Sequence, residues 1–212
     1  MVVRFYLQQP AHNQRKMVAS SRAIKVGPWG GAAGSPWDDG AHRGVRSITV
    51  TYRQYLESLT VEYDMNGRAV LGEKHGAGGG TRGIHEDKIK LNYPYESLTG
   101  VVGRYGPVTD GGSPVVRSLT FRTSRGTVHG PFGDATGGVP FEYLMEGGVV
   151  VGFSGRSGWH LDAVGLHVAA LRKETLCDVV QERSATAYRS FVYGSGGSAA
   201  QQSRKPFEWC YR

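Results

Sequence analysis

Between residues 24 and 165 no stretch of the chain keeps a helical 3.6-residue period for three turns. The apolar segments are short and rich in Val, Ile, Leu, Tyr and Phe. Many alternate with polar residues, as half-buried strands do. Residues 45–50, 59–63, 89–91, 116–121, 148–153 and 163–168 all read this way. Turn signals separate them, among them Asp64-Met65-Asn66-Gly67, Asp110-Gly111-Gly112 and Ser124-Arg125-Gly126. The chain is therefore expected to be all-β.

Glycine supplies 32 of the 212 residues, against a usual ~7%. Of these, 29 fall within residues 24–170. They follow no Gly-X-Y period, which excludes collagen. The formal net charge of +7 is distributed the opposite way. Residues 1–23 carry Arg4, Arg15, Lys16 and Arg22 with no acid, and residues 171–212 carry seven bases and four acids. Residues 24–170 carry fourteen of each, so they are neutral. These boundaries divide the chain into an N-terminal extension (1–23, loosely ordered), a folded unit (24–170) and a C-terminal extension (171–212). A short helix is expected over residues 169–183, and the Ser/Gly/Gln-rich residues 195–203 read as a flexible tail.

No run of 18 apolar residues is present, so no membrane span is expected. Arg4, Gln8, Gln9 and His12 interrupt the apolar core that a secretory signal needs. Cys177 and Cys210 are too few for a disulfide framework. A cytoplasmic or nucleocytoplasmic location is the expectation from these features.

A weak repeat runs through the unit. Val45-Arg46-Ser47-Ile48-Thr49-Val50 resembles Val116-Arg117-Ser118-Leu119-Thr120-Phe121, and Gly27-Pro28-Trp29-Gly30 resembles Gly130-Pro131-Phe132-Gly133. A third glycine cluster, residues 76–83, lies between them. A spacing of roughly 50 residues is that of a repeated supersecondary unit. Three units of four strands would give about twelve strands.

Enzyme signatures are poor in context. Gly78-Gly79-Gly80-Thr81-Arg82-Gly83 matches Gly-x-Gly-x-x-Gly, but a strand-like segment follows where a dinucleotide site needs a helix N-terminus. Gly155-Arg156-Ser157-Gly158-Trp159 lacks the last glycine of a nucleophile elbow. The seven histidines show no His-x-x-x-His pair, and His75 with His85 makes a weak zinc set. A glycan-cleaving enzyme needs two carboxylates across a cleft. Asp38-Asp39 and Glu86-Asp87 are adjacent in sequence near turns and read as loop-holding pairs. No catalytic residue, cofactor or metal is expected.

Gly158-Trp159-His160-Leu161-Asp162 is different. It lies between two strand candidates, where backbone N–H groups at Trp159 and His160 can form a nest beside the Asp162 carboxylate. Donors and acceptors so mixed suit neighbouring sugar hydroxyls, and aromatic rings at the rim suit a sugar's apolar face. A tight turn around a satisfied aspartate is the plainer account of the same spacing.

The unit resembles the jacalin-related lectins of plants. The resemblance rests on Val26-Gly27-Pro28-Trp29-Gly30-Gly31, Trp37-Asp38-Asp39-Gly40, Val61-Glu62-Tyr63-Asp64-Met65-Asn66-Gly67, Leu91-Asn92-Tyr93-Pro94-Tyr95-Glu96 and Gly103-Arg104-Tyr105-Gly106. It continues through Val116-Arg117-Ser118-Leu119-Thr120-Phe121, Gly130-Pro131-Phe132-Gly133 and residues 150–163, about 24–169 in all. It implies a β-prism of three four-stranded Greek-key sheets with pseudo-threefold symmetry. Carried over position by position, it implies a carbohydrate site. Gly34, Trp159 and His160 would present backbone N–H groups, Asp162 would accept hydroxyls, Gly158 would make the turn and Tyr105 would line the site. The family's galactose binders resemble a form cut at the position of Gly34. Gly34 is internal here, which favours mannose or glucose.

A second Gly-x-x-x-Asp site found in some members would fall on Tyr52-Arg53-Gln54-Tyr55-Leu56, which has neither residue, so one site per chain is expected. The implied partners are mannose/glucose-containing glycans, with a homo-oligomer for avidity and no nucleic acid. The competing reading is a defence or interaction module with a vestigial sugar site, acting through its basic tails.

Overall fold

A computed structural model describes residues 17–77 and 83–173. In chain order the strands are β1 (Met17–Gly30), β2 (Ser35–Asp38), β3 (Val45–Tyr52), β4 (Leu56–Met65), β5 (Arg68–His75) and β6 (His85–Lys90). They continue with β7 (Leu98–Pro107), β8 (Pro114–Thr123), β9 (Val128–Gly133), β10 (Val139–Leu144), β11 (Gly148–Ser157) and β12 (Leu161–Lys173). They make three antiparallel sheets of four strands, ordered β1-β12-β11-β2, β5-β4-β3-β6 and β9-β8-β7-β10. This is the expected β-prism.

The three inner faces share one core. Ile48, Val50, Leu59 and Val61 from the second sheet, Val101, Leu119 and Phe121 from the third, and Phe153, Val164 and Leu166 from the first are all fully buried. Each such side chain contributes about 1.5–3 kcal/mol by leaving water. Phe121 meets Phe153 edge-on at 6.5 Å and so ties two sheets together.

The sheet orders make the hairpins β3–β4, β7–β8 and β11–β12 equivalent, and likewise strands β1, β5 and β9. Of the two sequence matches, Gly27-Pro28-Trp29-Gly30 and Gly130-Pro131-Phe132-Gly133 occupy equivalent strands, β1 and β9. Residues 45–50 and 116–121 do not. They lie on β3 and β8, which are opposite members of their hairpins, and share only the alternation any half-buried strand needs.

The folded pairing extends past the expected edges of the unit. Met17 pairs with Lys173, Ala19 with Leu171 and Ala23 with Ala169, so strand replaces the loose extension over 17–23 and the first residues of the expected helix. Ala19, Ala23 and Leu171 pack on Val149, Val151 and Ala169 as a small separate cluster. The partner strand lies some 150 residues away in sequence, which no local period can reveal. The rest of that helix, the flexible tail and both cysteines lie outside the described residues.

Three of the four paired acids hold structure. Asp39 bonds His75 Nε2 (2.6 Å) and the Tyr63 hydroxyl (2.5 Å), with Trp37 stacked on His75 at 3.7 Å. Asp38 bonds Lys25 (2.8 Å), the Gly40 N–H (2.9 Å) and His167 (2.6 Å). Asp87 lies within β6 and accepts from the Tyr52 hydroxyl.

Candidate functional site

Asp162 occupies a β-bulge. In the β11–β12 ladder Arg156 faces Ala163 and Ser157 faces Leu161, so Asp162 is the extra residue. A bulge re-aims a side chain at the end of a sheet. Here it turns the carboxylate toward the β1–β2 loop. A methyl group on Gly34 would lie 2.4 Å from Asp162 Oδ2, and one on Gly158 would lie 3.4 Å from the same oxygen. Gly34 also has a φ of +65°, which side-chain-bearing residues rarely adopt. Gly34, Gly158 and Asp162 are therefore brought together although 124 residues separate Gly34 from Gly158.

Four hydrogen bonds fix this loop and the neighbouring turn. The Gly31 N–H donates to the Asp162 carbonyl (2.9 Å). Arg156 donates to the carbonyls of Ala33 (2.9 Å) and Gly34 (2.8 Å). The Gly158 N–H donates to the His160 carbonyl (3.0 Å), closing the turn between the strands.

Asp162 is 6% exposed, and its Oδ2 is buried with no hydrogen-bond partner among the described residues. Burial raises its carboxyl above the ordinary aspartate value, and the neighbouring His160, the Gly158 N–H and Arg156 pull it partly back. Among the described residues no acceptor takes the N–H of Gly34, Trp159 or His160. Trp159 is 67% exposed, with its ring open to solvent. Donors without acceptors stand beside an acceptor without a donor, next to an open aromatic ring.

Tyr105 sits apart. It lies on β7 of the third sheet, half-buried, with its ring packed toward Phe141 at 6.3 Å.

The same bulge recurs in the other two hairpins. In β3–β4, Thr51 faces Ser58 and Tyr52 faces Leu56, leaving Glu57 as the extra residue. In β7–β8, Arg104 faces Ser118 and Tyr105 faces Val116, leaving Arg117. Close glycines confirm the equivalence. A methyl group on Gly30, Gly76 or Gly133 would lie 2.2, 2.1 or 2.2 Å from the carbonyl oxygen of Asp162, Glu57 or Arg117 respectively. Glu57 escapes sequence reasoning because its turn, Arg53-Gln54-Tyr55-Leu56, carries neither the glycine nor the aspartate of the first hairpin.

The three bulge residues differ in how they are satisfied. Glu57 is 2% exposed, with Oε1 accepting from Arg53 Nε (3.1 Å) and Oε2 bonded to His160 Nδ1 (3.0 Å). Arg117 pairs with Asp134 and donates to the Pro107 carbonyl (3.3 Å). Of the two bulge carboxylates, only that of Asp162 leaves a buried oxygen, Oδ2, without a described partner; Arg117 keeps one unpaired donor among the described residues, its buried Nε.

The jacalin-like lectin domain model matches residues 26–167. The chain belongs to this family. Jacalin-related lectin 19 of Arabidopsis thaliana is 40% identical over 171 residues, covering 81% of this chain and 94% of the relative. Jacalin-related lectin 3 of the same plant is 40% identical over 185 residues, 87% of this chain but 29% of that longer protein. A galactose-specific lectin of Morus indica is 38% identical over 153 residues, covering 70% of this chain and 94% of the relative. Among solved structures, a mannose-binding lectin from Champedak superposes with a TM-score of 0.65 at 43% identity, covering 71% of this chain and 99% of that one. The protein is thus a jacalin-related lectin, a carbohydrate-binding protein.

Proposed function

We propose that this jacalin-related lectin binds mannose- or glucose-type glycans through one shallow, non-catalytic site per chain, at the junction of the β1–β2 loop and the β11–β12 turn. The observation that carries the reading is the buried Asp162 Oδ2 without a partner, beside the unaccepted N–H groups of Gly34, Trp159 and His160. A buried polar atom left unpaired costs about 1–3 kcal/mol, more when charged. A bound sugar relieves that cost by donating hydroxyls to the carboxylate and accepting from the N–H groups. The exposed Trp159 ring offers an apolar face to the same ligand.

Mannose or glucose is preferred to galactose on two grounds. Gly34 is internal to the sequence, and Arg156 holds its carbonyl in place. The mannose-binding Champedak lectin is also among the similar structures. One site per chain is supported by the bulges, because both oxygens of Glu57 are taken by the protein's own groups and the third bulge carries Arg117, a cation paired with Asp134, in place of a carboxylate. The open Asp162 oxygen also speaks against a vestigial site.

A single shallow site binds weakly, since a millimolar Kd is only about −4 kcal/mol. Assembly of several chains would supply avidity toward multivalent glycans. The test is Asp162→Ala. Binding to mannose-bearing glycans, read by calorimetry and on a glycan array, should be lost while the circular dichroism of the all-β fold is retained. An unchanged array would refute the assignment.

A further inference from the structure

The second hairpin does more than lack a site. We infer that Glu57 is a positioning residue for the first one: through His160 it holds the Trp159-His160 backbone in the conformation that meets the sugar. This deepens the reading above and rests on it for the identity of the ligand.

The observations are geometric. Glu57 is the bulge residue equivalent to Asp162, yet its carboxylate points across to the neighbouring sheet's turn and bonds His160 Nδ1 at 3.0 Å. The two residues are 103 apart in sequence. Glu57 is itself fixed, because it is 2% exposed and its other oxygen is held by Arg53 at 3.1 Å. The second sheet reaches the loop at two further points. The Ala77 N–H, in the loop after β5, donates to the Gly158 carbonyl (3.2 Å), and the Tyr55 ring lies 6.1 Å from the His160 ring.

Residues 158–160 form a three-residue turn outside the strands, and Trp159 is mostly in water. The His160 side chain gives this turn a side-chain hydrogen bond to the second sheet, beside the Ala77–Gly158 backbone bond, and Glu57 is the group that takes it. Such pre-organisation saves ordering cost at the moment of binding. The charged groups around His160 are Glu57 with Arg53 behind it from the second sheet, and Asp162 with Arg156 from its own.

The test compares the full chain with Glu57→Leu, Glu57→Gln and His160→Ala, without sugar and with methyl α-mannoside. Order parameters for the Trp159 and His160 amides, near 0.85 for rigid backbone, should fall toward about 0.6 in Glu57→Leu and His160→Ala. The strands of the third sheet should stay as in the parent chain. Glu57→Gln keeps an oxygen acceptor and should restore the loop. Affinity should weaken about tenfold in Glu57→Leu and recover in Glu57→Gln.

A loop that stays rigid in His160→Ala, or in a folded Glu57→Leu, overturns the inference. So does equal loss of order over all three sheets, or a loosened loop with unchanged affinity. If Glu57→Leu does not fold, His160→Ala carries the test. Failure of the parent chain to bind methyl α-mannoside would count against the proposed ligand, while the sugar-free order parameters would still decide whether Glu57 holds the loop.

Discussion

The β11–β12 hairpin and the β3–β4 hairpin are built alike and end differently. Each has a bulge beside its turn, each puts a carboxylate there, and each packs a glycine against the bulge carbonyl. In the first, the turn is Gly158-Trp159-His160 and Oδ2 of the aspartate finds no described partner. In the second, an arginine stands where the first has glycine, and the longer glutamate reaches both Arg53 and His160. The backbone supplies a carboxylate at a sheet end in both cases. What decides whether a ligand is needed is whether neighbouring side chains satisfy it first.

Gly34→Ala is the sharpest way to break the first hairpin's side of this contrast. The new methyl group would lie 2.4 Å from Asp162 Oδ2 and 2.4 Å from the Ser157 carbonyl carbon, at a φ of +65°. Sugar binding should be lost in calorimetry, and chemical denaturation should show about 1–2 kcal/mol of lost stability from the left-handed backbone alone. A stable variant with parental affinity would mean the sugar does not approach there.

A pair of isosteric substitutions should give opposite signs. Asp162→Asn removes a buried charge that its neighbours offset only in part, so the melting temperature should rise by about 2–4 °C, equivalent to ~1 kcal/mol for a chain of this size. Glu57→Gln weakens two satisfied charge-assisted bonds, so the melting temperature should fall by a similar ~2–4 °C. Equal signs would erase the distinction between an open and a closed carboxylate.

The smallest effect is on pH. Burial raises the Asp162 carboxyl above the ordinary 3.8, and the carboxylate is the form that accepts hydroxyls. Affinity for methyl α-mannoside should therefore start to fall, on acidification, at a higher pH than an exposed aspartate would give. Stability runs the other way. A carboxyl whose folded value is raised contributes fully below its unfolded value, and that contribution is lost as pH rises through the folded value. Asp162→Asn should flatten this part of the stability profile, measured by thermal melts across pH 3–7.

Much of this could be read in the sequence, and the rest is hidden for definite reasons. Alternation and glycine turns mark strands such as β8, which puts one face in the core. Gly158 and Asp162 are legible because a turn glycine and its carboxylate stand four residues apart. Gly34 joins them only through the resemblance, since its contact with Asp162 spans the chain. Glu57 is invisible to a motif search because its equivalence to Asp162 lies in strand register, not in residue type. The extension of β1 and β12 beyond the neutral, glycine-rich unit is hidden for a similar reason. Charge and glycine content mark where loops and solvent are, whereas residues 17–23 and 169–173 are ordered by pairing with each other.

The central claim is that one open carboxylate makes one sugar site. The most direct measurement is a titration of the ¹⁵N-labelled full chain with methyl α-mannoside, following backbone amides. The account predicts saturable shifts at Gly34, Trp159, His160 and Asp162, with one sugar bound per chain. Shifts centred on the turn carrying Arg53 and Glu57 or on the β7–β8 loop, or a stoichiometry above one, would contradict it.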